Sequence, residues 1–88
     1  MRIKRHKLFL KDFKKRALSD KEFEKFVYYI NALRADEKLP PESLDHALTG
    51  NYKDCREFHL SGDMLVIYLI NKEDEVVLMR LGSHSQLF

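Results

Sequence analysis

Two adjacent prolines, Pro40 and Pro41, divide this chain of 88 residues into halves whose apolar residues recur with different periods. Proline lacks an amide hydrogen and its ring clashes with the preceding turn, so no helix runs through the pair. Before it, Phe9, Leu10, Phe13 and Ala17 fall at helical spacing, with lysines and Arg16 between them. Ser19-Asp20-Lys21-Glu22 has the form of a capping box, in which the serine hydroxyl and the glutamate carboxylate each accept the other residue's amide. Phe23, Phe26, Val27, Ile30 and Leu33 then recur at i, i+3, i+4, i+7 and i+10, one apolar stripe along a helix. These spacings predict a helical hairpin over residues 7–36.

Beyond the prolines the pattern changes. Tyr52–Leu60 alternates loosely, Met64–Ile70 is continuously apolar and rich in β-branched and aromatic residues, and Val76–Leu81 forms a third run. Ser61-Gly62-Asp63 and residues 71–75 have the length and polarity of hairpin connections. Three sequential strands make an antiparallel meander, with a short strand at Arg2–Arg5 placed at its edge. A chain of this size has room for one core. The expected fold is therefore α+β, one domain over residues 1–88: an N-terminal helical hairpin packed on one face of a small antiparallel sheet, the other face left free.

Charge is distributed unevenly. Residues 1–16 carry eight Lys and Arg against Asp12 alone, whereas the rest of the chain holds eight basic and thirteen acidic residues. A basic end on an acidic body suits a partner rich in phosphate or carboxylate, with Lys11, Lys14, Lys15 and Arg16 as the leading contacts. A single cysteine, Cys55, excludes an intramolecular disulfide and a multi-cysteine zinc site, and reads as a small sheet or core residue. The longest apolar run is far shorter than the ~20 residues a membrane helix needs. Leu8-Phe9-Leu10 is too brief for a signal peptide. The expectation is a cytoplasmic protein without disulfides or membrane contact.

No phosphate-binding glycine loop, nucleotide fingerprint or nucleophile elbow is present. What remains is a polar set in the second half: His46, Arg56, Glu57, His59, Asp63, Arg80, His84 and the terminal Phe88. Glu57 and His59 are two apart on one strand and so share a face. Arg80 and His84 share parity if Gly82-Ser83 stays extended, and Asp63 sits across a turn from His59. The missing side chain of Gly82 would let a substrate backbone approach. Acids, bases and fixed cations without a nucleophile suit a substrate that supplies its own, as RNA does with its 2′-hydroxyl. A metal site of His46, His59, His84 and a carboxylate is the competing reading, but no pair has the i, i+4 spacing of helical chelates.

At these residues the sequence resembles the YafQ-type toxins of the RelE superfamily, from bacterial type II toxin–antitoxin modules. Asp45-His46-Ala47-Leu48-Thr49-Gly50 is similar to the family's Asp-His-x-Leu-x-Gly segment. Arg56-Glu57-Phe58-His59, with Asp63 four residues on, resembles its Arg-[Asp or Glu]-x-His strand. Met79 to Phe88 resembles its closing Arg-x-Gly-[Thr or Ser]-His-x-x-Leu-Phe. The resemblance implies a RelE-like fold and endoribonuclease activity on mRNA, often at the ribosome, with no metal or other cofactor and a cognate antitoxin as partner. Carried over by position, it implies His84 as the leading catalytic residue, assisted by His46, His59 and Asp63, with Phe88 completing the site. Glu57 stands where some relatives have Asp. Arg80 and Arg56 would meet phosphate. The superfamily also contains gyrase poisons without ribonuclease chemistry, and an RNA-binding module without catalysis is a further alternative; the histidine set favours the ribonuclease.

Overall fold

The structure is a computed structural model that describes residues 1–88. The change of period at the prolines is a change of element. Strand β1 (Arg2–Arg5) leads through one residue into helix α1 (Lys7–Lys15), and α2 (Asp20–Arg34) follows. Beyond the prolines come β2 (His46–Ala47), β3 (Arg56–His59), β4 (Met64–Ile70), β5 (Glu75–Ser83) and a last helical turn, α3 (His84–Leu87). The expected hairpin of helices is thus present. Its α2 begins at the capping box: the Ser19 amide donates to Glu22 Oε1 at 2.9 Å and the Glu22 amide to Ser19 Oγ at 3.1 Å. The second Glu22 oxygen accepts from Ser61 Oγ at 2.9 Å, which ties the start of α2 to the turn between β3 and β4. Helix α1 is capped by a residue the sequence does not flag: His6 Nδ1 accepts the Leu8 amide at 3.1 Å.

The sheet has five strands in the order β1-β5-β4-β3-β2. From β2 to β5 every pairing is antiparallel, as expected, but β1 lies parallel to β5, so the sheet is mixed rather than antiparallel throughout. The reason is connectivity. The two helices and three strands separate β1 from β5, so no tight hairpin dictates an antiparallel pairing between them. The loosely alternating segment also divides: Gly50–Tyr52 is a turn of 3₁₀ helix, and only Arg56–His59 is strand.

Phe9, Tyr29, Ile30 and Leu33 of the helices pack on Phe58, Val66, Tyr68, Val76, Leu78 and Leu81 of the sheet. The opposite face carries a smaller cluster of Cys55, Leu65, Ile67 and Leu87. In β5, Tyr68 stands opposite Leu78 while Ile67 stands opposite Arg80, so Met79 is an extra residue, a β-bulge. The bulge decides where Arg80 goes. Side chains alternate along a strand, so an unbroken β5 would give Arg80 the core-facing parity of Val76 and Leu78. With Met79 inserted, Leu81 takes the core and Arg80 the open face. The stripe on α2 is rotated relative to expectation: Tyr29, Ile30 and Leu33 are buried, but Phe23 and Val27 remain 49% and 42% exposed.

The cap offers a direct check on this packing. Ser19→Ala removes one of the paired acceptors and should cost about 1 kcal/mol. For a domain of this size that is a fall of about 4–8 °C in melting temperature, read by circular dichroism. An unchanged melting temperature would mean that α2 is held by its apolar contacts alone.

Candidate active site on the open face

Alternation on β3 sends Phe58 to the core and Glu57 and His59 to the open face, where β2 supplies His46 directly opposite Glu57. The Glu57 carboxylate is buried, with only 1% of the residue exposed. His59 Nε2 lies 2.8 Å from one of its oxygens and His46 Nε2 3.5 Å from the other. Oε2 receives no donor in hydrogen-bond alignment, so the His59 contact is electrostatic rather than a directed bond. Leaving a carboxylate in this state costs stability unless a neighbour carries positive charge. His46 is turned toward it by its other nitrogen. Nδ1 donates to the Leu44 carbonyl at 2.7 Å, because a carbonyl can only accept. Leu44 itself holds a left-handed backbone (φ 53°), a strained choice for a leucine that places this carbonyl one turn before the strand.

The register extends the site across the sheet. His46, Glu57, Ile67 and Arg80 stand in one row across four strands, and His59, Leu65 and Gly82 in the next. Two strand spacings separate Glu57 from Arg80, about 10 Å. Strand β5 stays extended through Ser83, and His84 then opens α3, so strand parity stops one residue before it. The His84 ring stacks on Phe88 with centroids 4.5 Å apart, and Tyr52 meets Phe88 edge-on at 5.4 Å. Phe88 is 51% exposed, so it is not a buried anchor; Leu87 plays that part. Gly82 serves α3 rather than a ligand: a Cβ there would lie 3.1 Å from Gln86 Oε1 and 3.4 Å from Leu87. The expected opening for a substrate backbone is therefore filled by the chain itself. Asp63 is exposed in the turn before β4.

Arg80 is held from an unexpected quarter. Asp12 of α1 accepts from Arg80 Nε at 2.7 Å, from Arg80 Nη2 at 3.2 Å and from the Leu81 amide at 3.0 Å. Beyond Leu78, β1 no longer covers the edge of β5, and the Asp12 carboxylate takes over as acceptor there. Burial pushes the Asp12 carboxyl up, but the Arg80 guanidinium, the Leu81 amide and the Lys15 charge outweigh it and hold the group below its ordinary 3.8. Asp12 first, and Tyr52 after it, push the Arg80 guanidinium above its ordinary pKa. Neither Asp12 nor Tyr52 was a candidate from the sequence. The one signal for Asp12 is its isolation, a single acid among eight basic residues.

The remaining candidates do not all converge. Lys15 and Arg16 line a small polar pocket with Asp12, Arg80 and Gln86. Lys11 and Lys14 face a different, apolar groove, so the cations of α1 are split between two surfaces. Arg56 is on the core-facing parity of β3, away from the histidines, and pairs with Asp45 at 3.2 and 3.3 Å. Asp45 also accepts the buried Tyr68 hydroxyl at 2.7 Å. Burial, first, and then Asp45 push that hydroxyl well above its ordinary pKa. Cys55 is buried, which raises its thiol pKa as expected of a packing residue. No three His, Cys, Asp or Glu side chains are arranged to hold a metal ion. No helix is long and apolar enough to cross a membrane.

An α+β fold with a mixed sheet and a histidine–carboxylate cluster on its open face defines the class, and comparison with known proteins defines the family. The model of YafQ, the bacterial toxin of type II toxin–antitoxin systems, matches residues 1–88, and the chain belongs to that family. It is similar to a YafQ toxin relative from Haemophilus influenzae, with 38% identity over 80 residues, 88% of this chain and 78% of the relative. A copper-bound mutant toxin from Helicobacter pylori shares 40% identity and a TM-score of 0.85, with 99% and 98% of the two chains covered. YafQ in the E. coli DinJ–YafQ toxin–antitoxin complex shares 29% identity and a TM-score of 0.80, over 98% and 94% of the chains.

The Asp12 clamp has a pH signature. A carboxyl whose folded pKa is depressed adds stability above its unfolded pKa and loses that contribution as pH falls through the folded value. Asp12→Ala should cost about 1–3 kcal/mol at neutral pH, since it strands the Leu81 amide and frees Arg80. In urea unfolding the gap between wild type and variant should narrow from pH 4 downward. A gap independent of pH would mean that Asp12 contributes by packing and not by charge.

Proposed function

We propose that this toxin is an endoribonuclease that cleaves mRNA by acid–base attack of the 2′-hydroxyl on the adjacent phosphate. The observation that carries the reading is the buried Glu57 carboxylate held between His46 and His59 on the open sheet face. An imidazole backed by a carboxylate is a suitable base, because the negative charge stabilises the imidazolium that forms when the proton is taken. The 2′-oxygen then bonds to phosphorus and the bond from phosphorus to the 5′-oxygen breaks. His84, exposed at the start of α3, gives the leaving 5′-oxygen its proton. Arg80 spends two N–H groups on Asp12, and further donors of the five remain for phosphate oxygens. Phe88, stacked on His84 and half-exposed, offers a face to a base. Asp63, exposed in the turn between β3 and β4, is the assisting carboxylate of this reading, and Lys15 and Arg16 continue the positive surface. Every group in this scheme is a side chain of the protein, so the proposed chemistry runs without a metal.

The E. coli relative is a toxin in a complex with its antitoxin. By the same family logic this chain has a cognate antitoxin that keeps the ribonuclease silent, and the cationic surface suits an acidic one.

His84→Ala tests the reading. A positioned proton donor contributes about 10²–10⁴-fold, so cleavage of a single-stranded RNA should fall at least about a hundredfold. The melting temperature should stay near that of wild type, because the ring is exposed. Products should end in a 2′,3′-cyclic phosphate and a 5′-hydroxyl, and EDTA should leave the rate unchanged. Full activity in the folded variant would remove His84 from the chemistry.

A further inference from the structure

Strand β2, which carries His46, is the least supported part of the sheet. It has two residues, lies at the edge and pairs only with β3. A strand this short makes few backbone hydrogen bonds of its own, yet a displacement of about 1 Å at a reacting group can cost ~10²-fold in rate. The turn that leads into it is also strained. Leu44 has a left-handed backbone (φ 53°), and its side chain is 59% exposed, so no packing of its own pays for that conformation. Strain of this kind persists only where neighbours impose it.

Both neighbours do. Ser43 is fully buried, and its Oγ donates to the Pro40 carbonyl at 2.7 Å and accepts the Asp45 amide at 3.3 Å. Asp45 turns to the helix side of the sheet, where Arg56 and Tyr68 stand directly opposite each other on β3 and β4. Its Oδ1 accepts the Tyr68 hydroxyl at 2.7 Å and Arg56 Nε at 3.2 Å, and its Oδ2 accepts Arg56 Nη2 at 3.3 Å. A phenylalanine would fill the place of Tyr68 in the core, so its buried hydroxyl has its use in this bond. His46, the next residue, points to the open face, and its Nδ1 proton goes to the Leu44 carbonyl. A neutral imidazole carries one proton, so this bond leaves Nε2 bare, the form of a base.

We propose that Asp45, gripped from inside the core by Tyr68 and Arg56, is the positioning residue for His46: it fixes the Leu44 turn whose carbonyl keeps the proton on Nδ1 and so presents Nε2 on the open face. The inference rests on the reading of His46 as one of the imidazoles that move protons in RNA cleavage. Asp45 acts from the opposite face of the sheet and touches no substrate. Arg56 takes a new part as well. It braces the carboxylate that holds His46, instead of meeting phosphate.

The His46 ring can be read directly, from its nitrogen chemical shifts in long-range NMR correlation spectra. Wild type should show Nδ1 protonated and Nε2 bare, whereas Asp45→Ala and Tyr68→Phe, with folding confirmed by circular dichroism, should show mixed tautomers. On single-stranded RNA, Asp45→Ala should lower kcat at least about tenfold and leave KM within about twofold, as expected when placement and not substrate binding is lost. Asp45→Asn keeps an oxygen for the Tyr68 hydroxyl and Arg56 Nε and should restore most of the rate. In a His46→Ala background, Asp45→Ala should cost less than about twofold more, because the two residues act as one unit. A His46 tautomer unchanged by Asp45→Ala, or full additivity of the two substitutions, would overturn the proposal. A raised KM with unchanged kcat in Arg56→Gln would return Arg56 to phosphate and overturn its part in it. If Asp45→Ala does not fold, Tyr68→Phe, which removes a single oxygen, decides by the same ring measurement. If wild type cleaves no RNA, the ribonuclease reading fails alone, and the tautomer still decides the role of Asp45.

Discussion

A single carboxylate, Asp12, links the first helix to the last strand through three N–H groups, two from Arg80 and one from the Leu81 amide. Much else depends on it. It closes the part of the β5 edge that the four-residue β1 leaves uncovered. It fixes the guanidinium that the Met79 bulge has carried to the open face. By pinning α1 at that point it also divides the helix's cations, with Lys15 and Arg16 on the side of the site and Lys11 and Lys14 on the side of the groove. The edge of the sheet and the site are both consequences of one helix-to-edge contact.

The open face breaks the rules that the helix face obeys. Its neighbour strands bring Leu65 and Ile67, fully buried, to the floor, yet Glu57 is buried beside them with no directed hydrogen bond to one oxygen. Apolar residues at this position would serve stability better. Departures of this kind are expected where function is placed, and here the charge sits where two imidazoles can use it. The strained Leu44 backbone that orients His46 belongs to the same pattern.

What could be read from the sequence was local. The capping box at Ser19 and Glu22, the hairpin of helices and the β4 strand follow from short-range spacing, and so does the shared face of Glu57 and His59. What escaped depends on distant partners. A two-residue strand at His46–Ala47 is too short to show a period, and only its pairing with β3 makes it a strand. Parallel β1 depends on where the chain's other end returns. Periodicity draws the α2 stripe but not its rotation, and Phe23 and Val27 of that stripe stay exposed. The place of Gly82 under α3 is invisible in the sequence, because nothing near it announces that the chain folds back there. The site residues were legible through family resemblance more than through pattern, since Arg80 and His84 owe their placement to a bulge and a helical turn.

The central claim is that imidazoles on the open face move the protons in RNA cleavage. It is tested most directly by the pH dependence of kcat/KM for wild type on a short single-stranded RNA, across pH 5 to 9. One imidazole acting as base and another as acid predict a bell-shaped profile with its maximum near neutrality. Glu57→Gln should lower the whole curve, because the negative charge that stabilises the imidazolium formed as the 2′-hydroxyl proton is taken is gone. A profile that is flat over this range, or the same curve with and without the Glu57 charge, would contradict the account.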